Sequence, residues 1–397
     1  MNIISNHHRT KQYAKAQKLR SRVMFFGLLT GAGIAFILLF TLFSGKETDF
    51  DDAATFGAQT TSIFAEVGDY PIHCHSPNRE ALSSCLAGAI SRKAEDSALW
   101  LGNSQVHAVN QLQQGETNSV PILFDAIRQK GMDLLTFSQP NANLQEHYVL
   151  FEYLRLQLHL RVLILPVVFD DLREEGLRDE IAYYARDEST ASALLMNEVG
   201  RRLVSAAEEI PADQDTAGIS QTMQERVERV LNTWLDKHSS LWRSRPEIRG
   251  QLIYGVLYQF RNWLFGIKAS TKRKMIPGRY RENMAALVAI LSQAKQNKIS
   301  VVLYIAPFRG GVENPYVDED YARFKSEVAA MAESFDVVYA NLESLVPEKL
   351  WGYKDSTAMD GDVELDFMHF QAGGHKLLAR RLEVLVNEAL DSRNHEQ

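Results

Sequence analysis

Ala98-Leu99-Trp100-Leu101-Gly102-Asn103-Ser104-Gln105 decides how the rest of the chain is read. A short apolar run ends in a glycine and gives way to small polar residues. That is the pattern of a buried strand running out into a tight turn at the rim of a sheet. Rims beyond the carboxyl ends of parallel strands are where open α/β sheets place their chemistry. Ser104 is therefore a candidate nucleophile, but a serine in a turn is commonplace and needs a general base and a group to orient that base. Asp366-Phe367-Met368-His369, near the far end of the chain, can supply both. A carboxylate three residues before a histidine reaches it within a single turn of chain.

Working outward, strand-like and helix-like patterns alternate from Leu99. Asp133–Phe137, Arg161–Phe169, Val301–Ile305 and Val337–Tyr339 read as further strands. The near-continuous apolar run at 161–169 suits a strand covered on both faces. Helices are expected over Val106–Gln114, Gln145–Leu160, Met284–Gln296 and Tyr321–Ser334. Five short strands separated by helices imply an α/β fold, a three-layer α/β/α domain over residues 98–390 with a mainly parallel five-stranded sheet. Residues 172–280 are polar and helical, with no convincing strand and far more length than a crossover needs, so a helical insertion is expected there. Within it, Leu252–Tyr258, Trp263 and the cluster Lys268, Lys272, Arg273, Lys274 fit either a core helix with a solvated end or a membrane-surface helix. Residues 391–397 form a tail.

The N-terminus carries an address. Residues 1–22 hold six basic residues (Arg9, Lys11, Lys15, Lys18, Arg20 and Arg22) and no acidic one. Val23–Phe43 follows without a charge, about 31 Å of helix and enough to cross a bilayer; Glu47, Asp49, Asp51 and Asp52 come next. This order predicts a single-pass transmembrane helix in the cell's inner (plasma) membrane, with a cytoplasmic N-terminus and the remainder extracytoplasmic. A cleaved signal peptide is the alternative, although its apolar core would be shorter. Residues 44–97 read as linker and lead-in, containing His73-Cys74-His75 and Cys85. In an oxidising compartment Cys74 and Cys85 are expected to form a disulfide or remain thiols; the rival is a metal site on His73, Cys74, His75 and Cys85, whose spacing matches no familiar ligand pattern.

Composition bounds the answer. The 397 residues are 45% apolar and 23% charged, ample for a full core, and the net charge of −7 speaks against a nucleic-acid partner. Two cysteines exclude a disulfide-rich scaffold. Of the remaining polar residues, His107, Glu146 and His147 can line a pocket near Ser104 or serve as ordinary polar residues. Asp360, Asp362, Glu364 and Asp366 alternate acids but lack the glycine and terminal glutamate of a calcium loop. A solvated loop leading to the Asp-His pair is the expectation. Asp366 could also cap the helix after it.

With these residues in place, the chain resembles the SGNH (GDSL-type) hydrolase superfamily over about residues 95–390. Gly102-Asn103-Ser104 stands where that family has Gly-Asp-Ser. Leu365–Phe370 stands in its final block, and Gln371-Ala372-Gly373-Gly374-His375 is similar to the segment after the family's histidine. The expected membrane anchor brings it closer to the cell-envelope branch, such as the DltD protein of teichoic acid D-alanylation and the alginate acetylation proteins, which work beside a membrane-bound O-acyltransferase. The resemblance implies Ser104 as nucleophile, His369 as general base and acid, and Asp366 as its orienting partner. It further implies an oxyanion and substrate site drawing on Asn143, Asn141, Gly102 and Gln105. Two departures stand out. Asn103 replaces an aspartate, and the third strand ends in Asp170-Asp171 where Gly-x-Asn-Asp is the family pattern; an ionised aspartate cannot donate a hydrogen bond to an oxyanion.

The expectation is thus an esterase or O-acyltransferase acting on acylated glycans or envelope polymers, requiring no metal or organic cofactor. A non-catalytic scaffold or delivery subunit on the same fold is the alternative, and a metal-dependent envelope hydrolase a further one.

Overall fold

In the computed structural model the described residues are 59–75, 79–210, 271–354 and 363–394. The chain divides into two units, 1–50 and 51–397, and every described residue belongs to the second. The expected transmembrane span Val23–Phe43, its flanks and residues 211–270 of the expected insertion lie outside the described residues. Among those described, no helix is long and apolar enough to cross a membrane.

Strands β1 (Thr60–Ser62), β2 (Glu66–Val67), β3 (Tyr70–Pro71) and β4 (His73–His75) precede helix α1 (Arg79–Ser91). Strand β5 (Asp96–Gly102) leads through the single turn α2 (Ser104–His107) into β6 (Ala108–Asn110) and helix α3 (Ser119–Arg128). Then come β7 (Met132–Ser138), α4 (Leu144–Gln157), β8 (Leu160–Val167), and three helices, α5 (Asp179–Ala185), α6 (Glu188–Leu194) and α7 (Glu198–Glu209). Helix α8 (Pro277–Gln296), β9 (Ser300–Ile305), α9 (Asp318–Phe335), β10 (Val338–Asn341), β11 (Trp351–Lys354), β12 (Glu364–Phe370) and α10 (Ala372–Asn394) complete the described chain.

Six of these strands form one sheet in the order β10-β9-β8-β5-β7-β4, and every pairing in it is parallel. The alternation of side chains along each strand explains the layers. Leu99 and Leu101, Leu163 and Leu165, Val301 and Leu303 point to one face, where α4, α8 and α9 cover them. Ala98 and Trp100, Val162 and Ile164, Val302 and Tyr304 point to the other, against α3 and α10. Both faces are therefore dry, and a buried Trp100 Nε1 finds its acceptor in Tyr304 Oη at 3.2 Å. The chain leaves β5 to one side for β7, then crosses back to β8 on the other side of β5. This reversal falls at the carboxyl end of β5, the usual ligand position in open α/β sheets.

Two expectations are corrected, and of the readings left open for the cysteines the expected disulfide is the one observed. The sheet has six strands, because His73–His75 pairs with Thr136–Ser138 at its edge and so belongs to the domain rather than to a lead-in. Cys74 and Cys85 are joined in a disulfide that ties β4 to α1, so neither can be a metal ligand, and no metal-holding cluster occurs among the described residues. The expected helix over Val106–Gln114 is one turn only. Ala108 leaves it in extended conformation, and β6 then pairs with β1.

Candidate active site

Gly102 ends β5 in close contact with the turn that follows: a Cβ there would lie 2.4 Å from Val106 Cγ2, so a larger residue would have to displace that side chain. That close approach lets the chain fold directly from strand into turn. Asn103 caps the turn, its Oδ1 accepting the Gln105 amide at 3.0 Å. Ser104 is the first residue of the turn, so its own amide has no acceptor within it.

The strand β12 approaches from the opposite direction in sequence. Ser104 Oγ lies 3.0 Å from His369 Nε2, although 265 residues separate them. His369 Nδ1 lies 3.0 Å from Asp366 Oδ2. A carboxylate only accepts, so Nδ1 carries the proton and Nε2 is left to accept from the serine hydroxyl. Asp366 is buried, and burial alone would raise its pKa. The electrostatic attraction and hydrogen bond of His369 and the amides of His369 and Met368, both at 2.9 Å from Oδ1, win and hold it down at about 2. It is an anion throughout the physiological range, poised against the histidine.

Two residues that the sequence left unassigned support this line. Asn110 Nδ2 donates to Asp366 Oδ2 at 3.3 Å and to the Tyr353 carbonyl at 2.9 Å. Arg309 is buried with its Nη1 on the carbonyls of Gly352 and Asp366, while its amide donates to the Phe367 carbonyl. Gly352 is required beside Asn110, because a Cβ there would overlap Asn110 Oδ1. Asn110 escaped detection because residues 106–114 read as helix, and Arg309 because only tertiary contact reveals it.

The four residues expected to bind oxyanion or substrate fare differently. Gly102 shapes the turn, as above. Gln105 is a brace. Its Nε2 donates at 2.8 Å to the carbonyls of Pro307 and Met368, locking the residue before His369 onto the loop after β9. Asn143 is not the donor expected. It caps α4, Oδ1 accepting the amides of Gln145 and Glu146, while Nδ2 is spent on the Gly176 carbonyl. A helix start leaves bare amides that need an acceptor, and this asparagine supplies it. Asn141 is exposed at the apex of the preceding turn with φ 50°, its carbonyl held by Arg178.

His107 closes the same turn that Ser104 opens. Its Nδ1 is 2.8 Å from Ser138 Oγ, which also meets His73 Nε2 at 2.6 Å. Burial drives His107 well below the ordinary histidine range and His73 to about 3, so both are neutral scaffolding. His147 is likewise buried and held near 3. Burial lifts Glu146 to about 7 despite Arg178, which bonds it through both amide and guanidinium. Asp170 is engaged by Tyr316 at 2.9 Å and by Arg273, whereas Asp171 bonds Asn103 directly.

No protein-family model matches the chain, and no curated protein matches it. Among solved structures it is similar to an acetylxylan esterase from Geobacillus stearothermophilus, at 10% identity over 72% of this chain and 92% of that one, with a TM-score of 0.33. It is also similar to a GDSL-like lipase from Bacteroides thetaiotaomicron, at 11% identity over 79% and 98% of the two chains, with a TM-score of 0.33. Likeness this distant leaves the chemistry to be argued from the residues themselves.

Proposed function

We propose that this chain is a serine esterase or O-acyltransferase of the SGNH type, anchored in the membrane by residues 23–43 and acting outside it on acyl esters of surface glycans or envelope polymers. The observation that carries the reading is the continuous line from Ser104 Oγ through His369 to Asp366. Ser104 attacks the ester carbonyl while its proton passes to His369 Nε2. Asp366 stays ionised and stabilises the imidazolium. The carbonyl oxygen takes up negative charge, and the Ser104 amide is the donor beside it. Collapse of the tetrahedral intermediate breaks the bond to the alcohol, which leaves with the proton from Nε2, and the acyl group remains on Ser104. A second hydroxyl, from sugar or water, loses its proton to Nε2 as it attacks; the acyl bond to Ser104 Oγ then breaks, Oγ takes the proton back from Nε2, and the product is a new ester or a free acid.

The two outcomes share every residue and differ in which acceptor reaches the acyl-enzyme, so a membrane-bound O-acyltransferase partner would supply the acyl donor in the transferase case. The test uses the full chain in detergent with p-nitrophenyl acetate, followed by intact mass. An acyl adduct and nitrophenol release in wild type, both lost in Ser104→Ala, are expected. Glycan acceptors that raise turnover then mark a transferase. Absence of any adduct would sink the catalytic reading and favour a scaffold on the same fold.

A further inference from the structure

Asn103 and Asp171 form a buried pair directly beside the nucleophile. Asn103 is 3% exposed and Asp171 is 7% exposed, with Asn103 Nδ2 and Asp171 Oδ2 2.7 Å apart. The orientation of the amide is fixed by chemistry. Asn103 Oδ1 accepts a backbone N–H from Gln105, and a backbone N–H can only donate, so Nδ2 must be the end that faces Asp171. Asp171 Oδ2 is therefore an acceptor.

The charges around Asp171 favour its neutral form. No guanidinium or ammonium group among the described residues bonds to it. Asp170 and Glu174, on its own segment, both oppose a second negative charge, and Arg178 favours it only from a distance. From α8, Arg279 is occupied by Glu175 and by the Arg173 carbonyl, and Arg273 is held by Asp170. A carboxylate with one neutral donor and no counter-ion is poorly compensated in a buried site. Burial, the largest influence, pushes Asp171 well above the usual carboxylate range, and the bond from Asn103 recovers only part of that.

We propose that Asp171 is a positioning residue that works as an uncharged carboxylic acid: through Oδ2 it holds the Asn103 amide that caps the Ser104 turn, and its ionisation shuts the site. This deepens the serine-hydrolase reading and rests on it. A carboxylate at this place would put a negative charge on the partner of Asn103, the residue next to Ser104, and would oppose the negative charge that develops during attack. An aspartate after the third strand is then no obstacle to catalysis, because it is not an anion while the enzyme works.

The experiment measures, from pH 5 to 10, the rate at which the full chain in detergent is labelled by a fluorophosphonate. The serine oxygen bonds to phosphorus, fluoride leaves, and His369 takes the proton. Ser104→Ala provides the background. In wild type the rate is expected to fall about tenfold per pH unit on the alkaline side. Asp171→Asn, neutral at every pH and still an acceptor for Asn103, lacks that fall; the shape of the profile is the readout, not its height. Infrared difference spectra of the wild type should show a protonated-carboxyl stretch that is absent from Asp171→Asn and that disappears along the same alkaline limb. Asn103→Ser, which still caps the turn but no longer bonds Asp171, should move that limb to higher pH, and it serves as the test if Asp171→Asn fails to fold. An alkaline limb shared by wild type and Asp171→Asn, an unmoved limb in Asn103→Ser, or a missing carboxyl band would overturn the proposal. Failure of Ser104 to be labelled at any pH would instead refute the serine reading, while the infrared band would still report on Asp171.

Discussion

Asp366→Asn probes the electrostatics of the site with almost no change of shape. Asn would still accept the amides of Met368 and His369 through one oxygen, as Asp366 Oδ1 does at 2.9 Å. Its other end would be an NH2 group facing His369 Nδ1 and Asn110 Nδ2, which lie 3.0 and 3.3 Å from Oδ2. Donors would then face donors. The imidazole can relieve this only by moving its proton from Nδ1 to Nε2, and Nε2 then presents a hydrogen to Ser104 Oγ instead of a lone pair. The nucleophile loses its base. Holding Asp366 at about 2 rather than 3.8 corresponds to a preference for the ionised form of about 2 kcal/mol. The same interaction stabilises the imidazolium formed during attack. Wrong tautomer and lost charge together predict a fall in acylation rate of about 10⁴-fold, or about 5 kcal/mol of barrier.

The assay is single-turnover acylation followed by mass, paired with nitrogen NMR of His369 to read the tautomer. A variant that keeps more than a tenth of the wild-type rate, or one in which Nδ1 remains protonated, would refute the reasoning. Stability has its own sign. Because the folded carboxyl is depressed, its contribution is fully present above about pH 4 and is lost as pH falls toward 2. Acid unfolding of wild type should therefore steepen in that window, and Asp366→Asn should flatten it.

Other outcomes rest on the same contacts. Gln105→Ala removes both bonds that hold Pro307 and Met368, and should cost about 1–3 kcal/mol in denaturant unfolding and about 10–100-fold in acylation, with Ser104 and His369 both still present. Gly102→Ala drives a methyl into Val106 and should lose about 1–3 kcal/mol, most of it restored when Val106→Ala is added. Glu146, raised to about 7 in the fold from 4.5, is penalised as pH rises between those values. Wild type should be about 3 kcal/mol less stable at pH 8 than its other groups would make it, and Glu146→Gln should remove that decline in a melting series from pH 5 to 8.

The features legible in the sequence were those that depend on neighbours along the chain. The run Ala98–Leu101 announces a strand dry on both sides, and Asp366-Phe367-Met368-His369 contains its own hydrogen bond, so both are readable from spacing. The misses share a different cause. His73-Cys74-His75 is three polar-looking residues, and only pairing to Thr136–Ser138 makes it a strand. Val106–Asn110 is apolar at both helical and strand spacing, so periodicity could not detect the switch after one turn.

Asn143 and Asn103 sharpen the point, because the same residue type stands at the start of a helical turn in each case. Asn143 spends its NH2 on the Gly176 carbonyl and so is lost to the site, whereas Asn103 turns its NH2 to a buried acid next to the nucleophile. Composition treats Asp171 and Asp366 alike as well. Yet Asp366 collects amides, an asparagine and a histidine and is pulled down, while Asp171 has one amide donor and like-charged neighbours and is pushed up. Two aspartates within one catalytic neighbourhood are thereby driven to opposite charge states by the number of donors the fold delivers to each. The division of labour between them, an anion behind the histidine and a neutral acid behind the serine, is written in the tertiary contacts rather than in the residue types.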